Sequence, residues 1–214
     1  MSQSFVQKNK EAFYPLDIRQ LSWQHYNECL HNMQSFTLGR DIHSIDEIWL
    51  LQHPPTYTLG LNGKEEHILD ADDIPVIRCD RGGQVTYHGP GQLIVYFLID
   101  IDRRGWGVKY LVHLIEQIII DLLATYSIDV QRKEGAPGIY VGADKIAALG
   151  LRVKKGCTYH GVSLNIDMDM SPFEYINPCG YEGLKCVQMK DIISDIDFSE
   201  VRRRIRTVII DKFV

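Results

Sequence analysis

Apolar positions along the chain change their period several times, and each change predicts an element. In residues 21–36, Leu21, Trp23, Tyr26, Leu30 and Met33 fall mostly at helical spacing with Ser22 near the start as a cap, which predicts a first amphipathic helix. Residues 47–51, 76–79 and 93–101 are short β-prone or apolar runs bounded by Pro and Gly clusters and predict strands, the last buried on both faces. In residues 108–126 the apolar positions 111, 114, 115, 118, 119, 122 and 123 form the stripe of a helix packed on a sheet. Residues 138–141 and 145–153 flank Gly142-Ala143-Asp144 and predict a hairpin with Lys145 at the turn exit. Residues 159–166 predict a further strand, 171–181 an irregular loop containing Pro172 and Pro178, and 199–214 a closing helix. Strands mixed with segregated helices indicate an α+β (mixed α/β) fold, with strand order and pairing left open.

The 214 residues carry no repeat, low-complexity tract or linker, so one domain spanning 1–214 is expected. A composition of 45% hydrophobic and 24% charged residues is that of a globular protein rather than a disordered one. The net charge of -5 disfavours nucleic acid as a partner, and the basic run Arg202-Arg203-Arg204 is expected on a solvated helix face. Apolar runs stop well short of the roughly 20 residues a transmembrane helix needs, so no membrane span is expected. Residues 1–15 lack both the apolar core of a secretory signal and the Arg-rich start of a transit peptide. Five cysteines without a paired framework fit a reducing compartment, and the cytoplasm is the simplest expectation.

Four segments could carry chemistry. In Arg81-Gly82-Gly83-Gln84-Val85-Thr86-Tyr87-His88-Gly89-Pro90-Gly91-Gln92, glycines permit close backbone approach to a ligand while Arg81, Thr86, Tyr87 and His88 add a cation, hydroxyls and a ring. An ornate turn between two strands is the competing reading. Lys145 precedes the small apolar run Ile146-Ala147-Ala148-Leu149-Gly150, where a solvated turn lysine is the ordinary expectation. His160-Gly161-Val162-Ser163 and Pro178-Cys179-Gly180 complete the set, and a cysteine held between Pro and Gly is oddly placed for a core filler. No P-loop, G-x-S-x-G elbow or C-x-x-C pair is present, and Cys157, His160, His88 and Cys179 make a poor zinc set, so no metal is expected. A cysteine is the plausible nucleophile.

Taken together, residues 81–92, 145–150, 160–161 and 178–180 resemble the octanoyltransferases of lipoate biosynthesis, in sequence, order and spacing. Ser163, where many members have Ala, and Cys186-Val187-Gln188 depart from the pattern outside the motif of the nucleophile. The resemblance implies a biotin/lipoate protein ligase-like domain with a mixed sheet and flanking helices, and no cofactor. It implies an octanoyl donor on acyl carrier protein, and as acceptors the lipoyl domains of 2-oxoacid dehydrogenase complexes and the glycine cleavage H protein. It further implies that Cys179 forms an acyl thioester beside an activating Lys145, since a neighbouring ammonium favours thiolate over thiol. Arg81, Gly82, Gly83, Gln84, Val85, Thr86, Tyr87 and His88, with Ala148, Leu149, Gly150, Gly161, Val162 and Ser163, would line the acyl channel. His88 and His160 stand as either proton shuttles or hydrogen-bond struts.

Overall fold

The computed structural model describes residues 14–213, so the expectation about targeting signals falls largely outside it, as does Val214. Among the described residues the strands are β1 (Leu16–Trp23), β2 (Asp46–Gln52), β3 (Thr56–Leu59), β4 (Val76–Arg78), β5 (Val85–His88), β6 (Gln92–Leu98), β7 (Gln131–Arg132), β8 (Gly138–Val141), β9 (Asp144–Lys154) and β10 (Cys157–Asn165). The helices are α1 (Tyr26–Leu38), α2 (Val108–Ala124) and α3 (Phe198–Phe213). A seven-stranded sheet runs β1-β2-β6-β10-β9-β8-β7, and a three-stranded sheet runs β4-β3-β5. Both sheets are mixed: β1 pairs with β2 and β4 with β3 in parallel, the other neighbours antiparallel.

The large sheet is covered on both faces, which is why β6 shows no polar alternation. Leu93, Val95 and Phe97 point to the face under α2 and α3, where they meet Leu111, Ile115, Ile118, Ile119, Val201, Ile205 and Ile209. Ile94, Tyr96 and Leu98 point to the other face and pack with Trp49, Leu51 and the α1 residues Cys29 and Met33. A third cluster joins the small sheet (Tyr57, Leu59, Val85, Tyr87) to Met168, Phe173 and Ile176.

The start of the chain departs from the expectation. Residues 16–23 form β1, which pairs Leu16 with Asp46 through Gln20 with Leu50, and the helix begins only at Tyr26. The helical spacing of Leu21, Trp23 and Tyr26 is a coincidence of a strand end meeting a helix start. Ser22 caps nothing; His25 holds the N-cap position without a side-chain bond. β3 and β5 carry no clear strand signal in the sequence, because four-residue strands leave little room for a period, and β5 lies inside the glycine-rich stretch. The loop at 171–181 contains 3-10 turns, Ser171–Tyr175 and Pro178–Gly180. In the basic run on α3, Arg203 and Arg204 pair with Glu200. The predicted hairpin forms between β8 and β9, pairing Val141 with Asp144 and Tyr140 with Lys145. Lys145, however, is only 3% exposed, so it is no solvated turn residue.

Candidate active site

Cys179 occupies the turn Pro178–Gly180 with φ 57°, followed by Gly180 at φ 78°. The left-handed conformation is costly for Cys179, which has a Cβ, and free for Gly180. They are held here by Gly180 N–H donating to Asn177 O (2.9 Å) and Tyr181 N–H to Pro178 O (3.1 Å). Lys145, at the start of β9, is pinned along its backbone by residues 185–187: its N–H donates to Lys185 O (2.9 Å) and its carbonyl accepts Val187 N–H (3.0 Å). Its Nζ lies 2.9 Å from Cys179 Sγ, donates to Pro137 O at 3.2 Å and sits 5.1 Å from the Tyr140 ring centroid. Gly138 lies beside it, a position where a Cβ would stand 2.5 Å from Ala147 O. Burial pushes the Lys145 ammonium toward neutrality, but the charge of a Cys179 thiolate, its hydrogen bond and Tyr140 outweigh it. The Lys145 pKa is therefore raised.

A partly open cavity lies beside Cys179, about 490 Å³ when the solvent at its mouth is counted. It is lined by Arg81, Gly82, Gly83, Gln84, Val85, Thr86, His88, Ala148, Leu149, Gly150, Gly161, Val162 and Ser163, every predicted channel residue except Tyr87. Tyr87 is turned away by the alternation of β5 and packs against Tyr57 and Phe173, with ring centroids 5.5 and 5.6 Å apart. Two rungs of the large sheet floor the cavity, Gly150–Gly161–Tyr96 and Ala148–Ser163–Ile94. Small residues on β9 and β10 thus give way to bulky ones on β6, two strand spacings or about 10 Å away.

Tyr26, Ile94, Tyr96 and His160 also line the cavity and were not among the predicted lining. Nothing local marks Ile94, Tyr96 or Tyr26, since β6 is buried along its whole length and Tyr26 lies on a distant helix. Lys145 borders instead a neighbouring open groove, together with Asn62, Val108, Pro137, Leu151 and Tyr181. Cys179 lines both spaces.

The polar wall is committed to protein partners. Arg81 donates through Nη2 to Thr58 O (2.6 Å), Thr58 Oγ1 (2.8 Å) and Gln84 O (2.8 Å), and through Nη1 to Gly82 O (3.0 Å). It fastens the 81–84 loop rather than offering a free cation. That loop docks on β9 by Gly82 N–H donating to Leu151 O (2.9 Å), a fit that requires Gly150, whose Cβ would stand 2.7 Å from Gly82 O. Gln92 Nε2 donates to Tyr87 O (3.2 Å), which leaves its Oε1 to accept from His88 Nδ1–H at 2.8 Å. The Thr58 hydroxyl then donates to His88 Nε2 at 3.2 Å. Burial holds His88 well below its ordinary pKa, which favours the neutral ring.

His160, at φ 61°, bonds Asp80 Oδ1 through Nε2 at 3.1 Å. Burial pushes its pKa down against the pull of Asp80, and Asp80 itself, despite burial, is brought to about 2 by hydrogen bonds from His160 and Tyr159. His160 Nδ1 and the Tyr26 hydroxyl have no hydrogen-bond partner among the described residues. No three His, Cys, Asp or Glu side chains gather as a metal site among those residues. What the arrangement offers chemically is a thiol with an ammonium against it, at the mouth of a largely apolar cavity.

The lipoyl protein ligase A/B catalytic domain family matches residues 25–210. An octanoyltransferase of Shewanella frigidimarina is 59% identical over 175 residues, covering 82% of this chain and 81% of that protein. Another, from Nitrosococcus oceani, is 52% identical over 190 residues, covering 89% and 85%. Among solved structures, the bipartite lipoate protein ligase of Thermoplasma acidophilum superposes with a TM-score of 0.72 at 14% identity, covering 92% of this chain and 84% of that one, a likeness of fold. Fold, site and sequence agree: the chain belongs to the lipoyl protein ligase A/B catalytic domain family.

Proposed function

We propose that this chain, as one catalytic domain, is an octanoyltransferase that carries the acyl group on Cys179. It takes octanoyl from octanoyl-acyl carrier protein and delivers it to a lysine of lipoyl-domain acceptors, those of 2-oxoacid dehydrogenase complexes and the glycine cleavage H protein. The observation that carries the reading is the 2.9 Å contact between Lys145 Nζ and Cys179 Sγ at the cavity mouth. The reaction is set in the cytoplasm, where thiols stay reduced; no helix is long and apolar enough to cross a membrane among the described residues.

In the first step the Cys179 thiolate attacks the donor thioester, the carrier thiolate leaves, and it takes its proton from Lys145. One thioester replaces another, so the acyl group stays activated without ATP. Lys145 is then neutral, and with the thiolate gone its burial favours that form. In the second step the neutral amine of the acceptor attacks the Cys179 thioester, Lys145 takes the extra proton, and the Cys179 thiolate departs. The ammonium–thiolate pair is restored. The acyl chain lies over the small residues Gly150, Gly161, Ala148 and Ser163 and ends against Ile94 and Tyr96.

Intact mass after incubation with octanoyl-acyl carrier protein tests this: a gain of one octanoyl group is expected. No adduct would reduce the protein to a non-covalent binder. A second reading, an ATP-dependent ligase, is favoured only by the breadth of the family, and turnover of labelled ATP with free octanoate would establish it.

A further inference from the structure

We propose that Glu116 is a positioning residue for acyl transfer, acting on Lys145 through a single peptide group. The inference rests on the reading of Cys179 and Lys145 as the reacting pair. α2 buries Glu116 at 8% exposure beside its apolar stripe, an unusual place for a carboxylate. Its Oε1 accepts Gly138 N–H at 3.1 Å, while Arg132 Nε donates to Oε2 at 3.0 Å. The peptide that presents Gly138 N–H is the same one whose carbonyl, Pro137 O, accepts Lys145 Nζ at 3.2 Å. Both ends of one amide are therefore occupied, one by a carboxylate and the other by the ammonium.

Two consequences follow from elementary electrostatics. A carboxylate drawing on the N–H makes the carbonyl of the same amide a stronger acceptor, so Glu116 tightens the seat of the Lys145 ammonium. It also fixes where that ammonium stands, because the peptide cannot rotate without breaking the bond to α2. Arg132 is held in turn by Gln117 Oε1 at 2.9 Å, and Tyr140 Oη donates to Ala136 O at 3.1 Å, so both sides of the segment are tied. Gly138, at φ 128°, permits the approach; any Cβ there would meet Ala147 O at 2.5 Å. Glu116 touches neither the reacting sulfur nor the cavity. Its effect reaches the reaction only through the position and charge of Lys145.

The test compares full-length wild type with Glu116→Ala, Glu116→Gln and Lys145→Ala. Three quantities are measured: kcat and KM for octanoyl transfer to a lipoyl domain, the pH profile of Cys179 alkylation by iodoacetamide read by peptide mass, and the melting temperature. Glu116→Ala should lower kcat about tenfold, as loss of a hydrogen bond to a charged group does, with KM for the acceptor within about twofold. Its alkylation should rise at higher pH than in wild type. Glu116→Gln, which keeps an oxygen for Gly138 N–H, should recover most of kcat and of the profile. The proposal is overturned if Glu116→Ala keeps the wild-type kcat and profile, or if both Glu116 variants merely melt earlier with the profile unmoved. Should Lys145→Ala itself leave the profile unmoved, the reading of the Cys179–Lys145 pair fails. Should Lys145→Ala move it and Glu116→Ala not, only the positioning role fails.

Discussion

Lys145 and Cys179, 34 residues apart in the chain, meet at 2.9 Å between Nζ and Sγ. Lys145→Ala is expected to fold yet lose most of its transfer rate, and its Cys179 should be alkylated more slowly near neutral pH. Lys145→Arg should restore the charge but not turnover, since a guanidinium does not release its proton in this range. A wild-type alkylation rate in Lys145→Ala would remove the activating role.

The raised Lys145 pKa carries its own pH dependence. A lysine whose pKa is higher folded than unfolded contributes stability that is whole below the unfolded value of about 10.4 and is lost as pH climbs through the folded value. The lysine's own share of the melting difference between wild type and Lys145→Ala should therefore shrink as pH climbs through that alkaline window. Melting curves between pH 7 and the alkaline limit of folding check it.

Of the five cysteines, Cys179 alone should become octanoylated when the donor is supplied without acceptor. Burial pushes Cys29 and Cys186 up to about 12 and raises Cys157, which keeps all three as inert thiols. Cys179→Ala should abolish both adduct and transfer, and Cys179→Ser should retain almost no turnover because a hydroxyl is a far poorer nucleophile. Peptide mapping decides between the sulfurs; an acyl group on Cys79 or any other would sink the mechanism.

Chain-length preference should follow the cavity floor. Ile94→Ala removes a stop at the β6 end and should favour longer acyl chains, whereas Ser163→Leu fills the trench and should favour shorter ones. Each methylene gained or lost is worth about 0.8 kcal/mol, or roughly fourfold in kcat/KM. Competition between hexanoyl, octanoyl and decanoyl carriers reads the shift directly, and an unchanged ranking in both variants would place the chain elsewhere.

Away from the site, Asp46 is wholly buried among Arg40 at 2.5 Å, Arg103 at 2.9 Å and Arg104 at 2.7 Å. Asp46→Ala leaves three cations around an empty place and should cost about 3–5 kcal/mol of stability. Chemical denaturation measures it, with the rate per folded molecule expected to stay near wild type.

The legible part of this molecule was whatever its sequence kept contiguous. The 81–92 segment, Lys145 with its small neighbours, and Pro178-Cys179-Gly180 could be read in place, and the long stripe of α2 announced itself by its period. Contiguity also misled: Tyr87 sits within the motif but on the far side of β5, because alternate strand residues face opposite ways. Tyr26 and Ile94 reach the cavity from distant elements, and their roles depend on pairings that no local pattern encodes. The burial of Lys145 was equally invisible, since its cover comes from Pro137, Tyr140 and the 185–187 strip.

That Cys179 borders both the acyl cavity and the neighbouring groove has a kinetic meaning. On the mechanism proposed above, donor and acceptor must each bring a reactive end to the same sulfur, so the two proteins would take turns. The discharged carrier would then leave before the acceptor arrives, and between those visits the acyl group would wait on the enzyme, open to hydrolysis. Reciprocal rate plots at several carrier concentrations should then be parallel lines, and each protein should inhibit competitively against the other when present in excess.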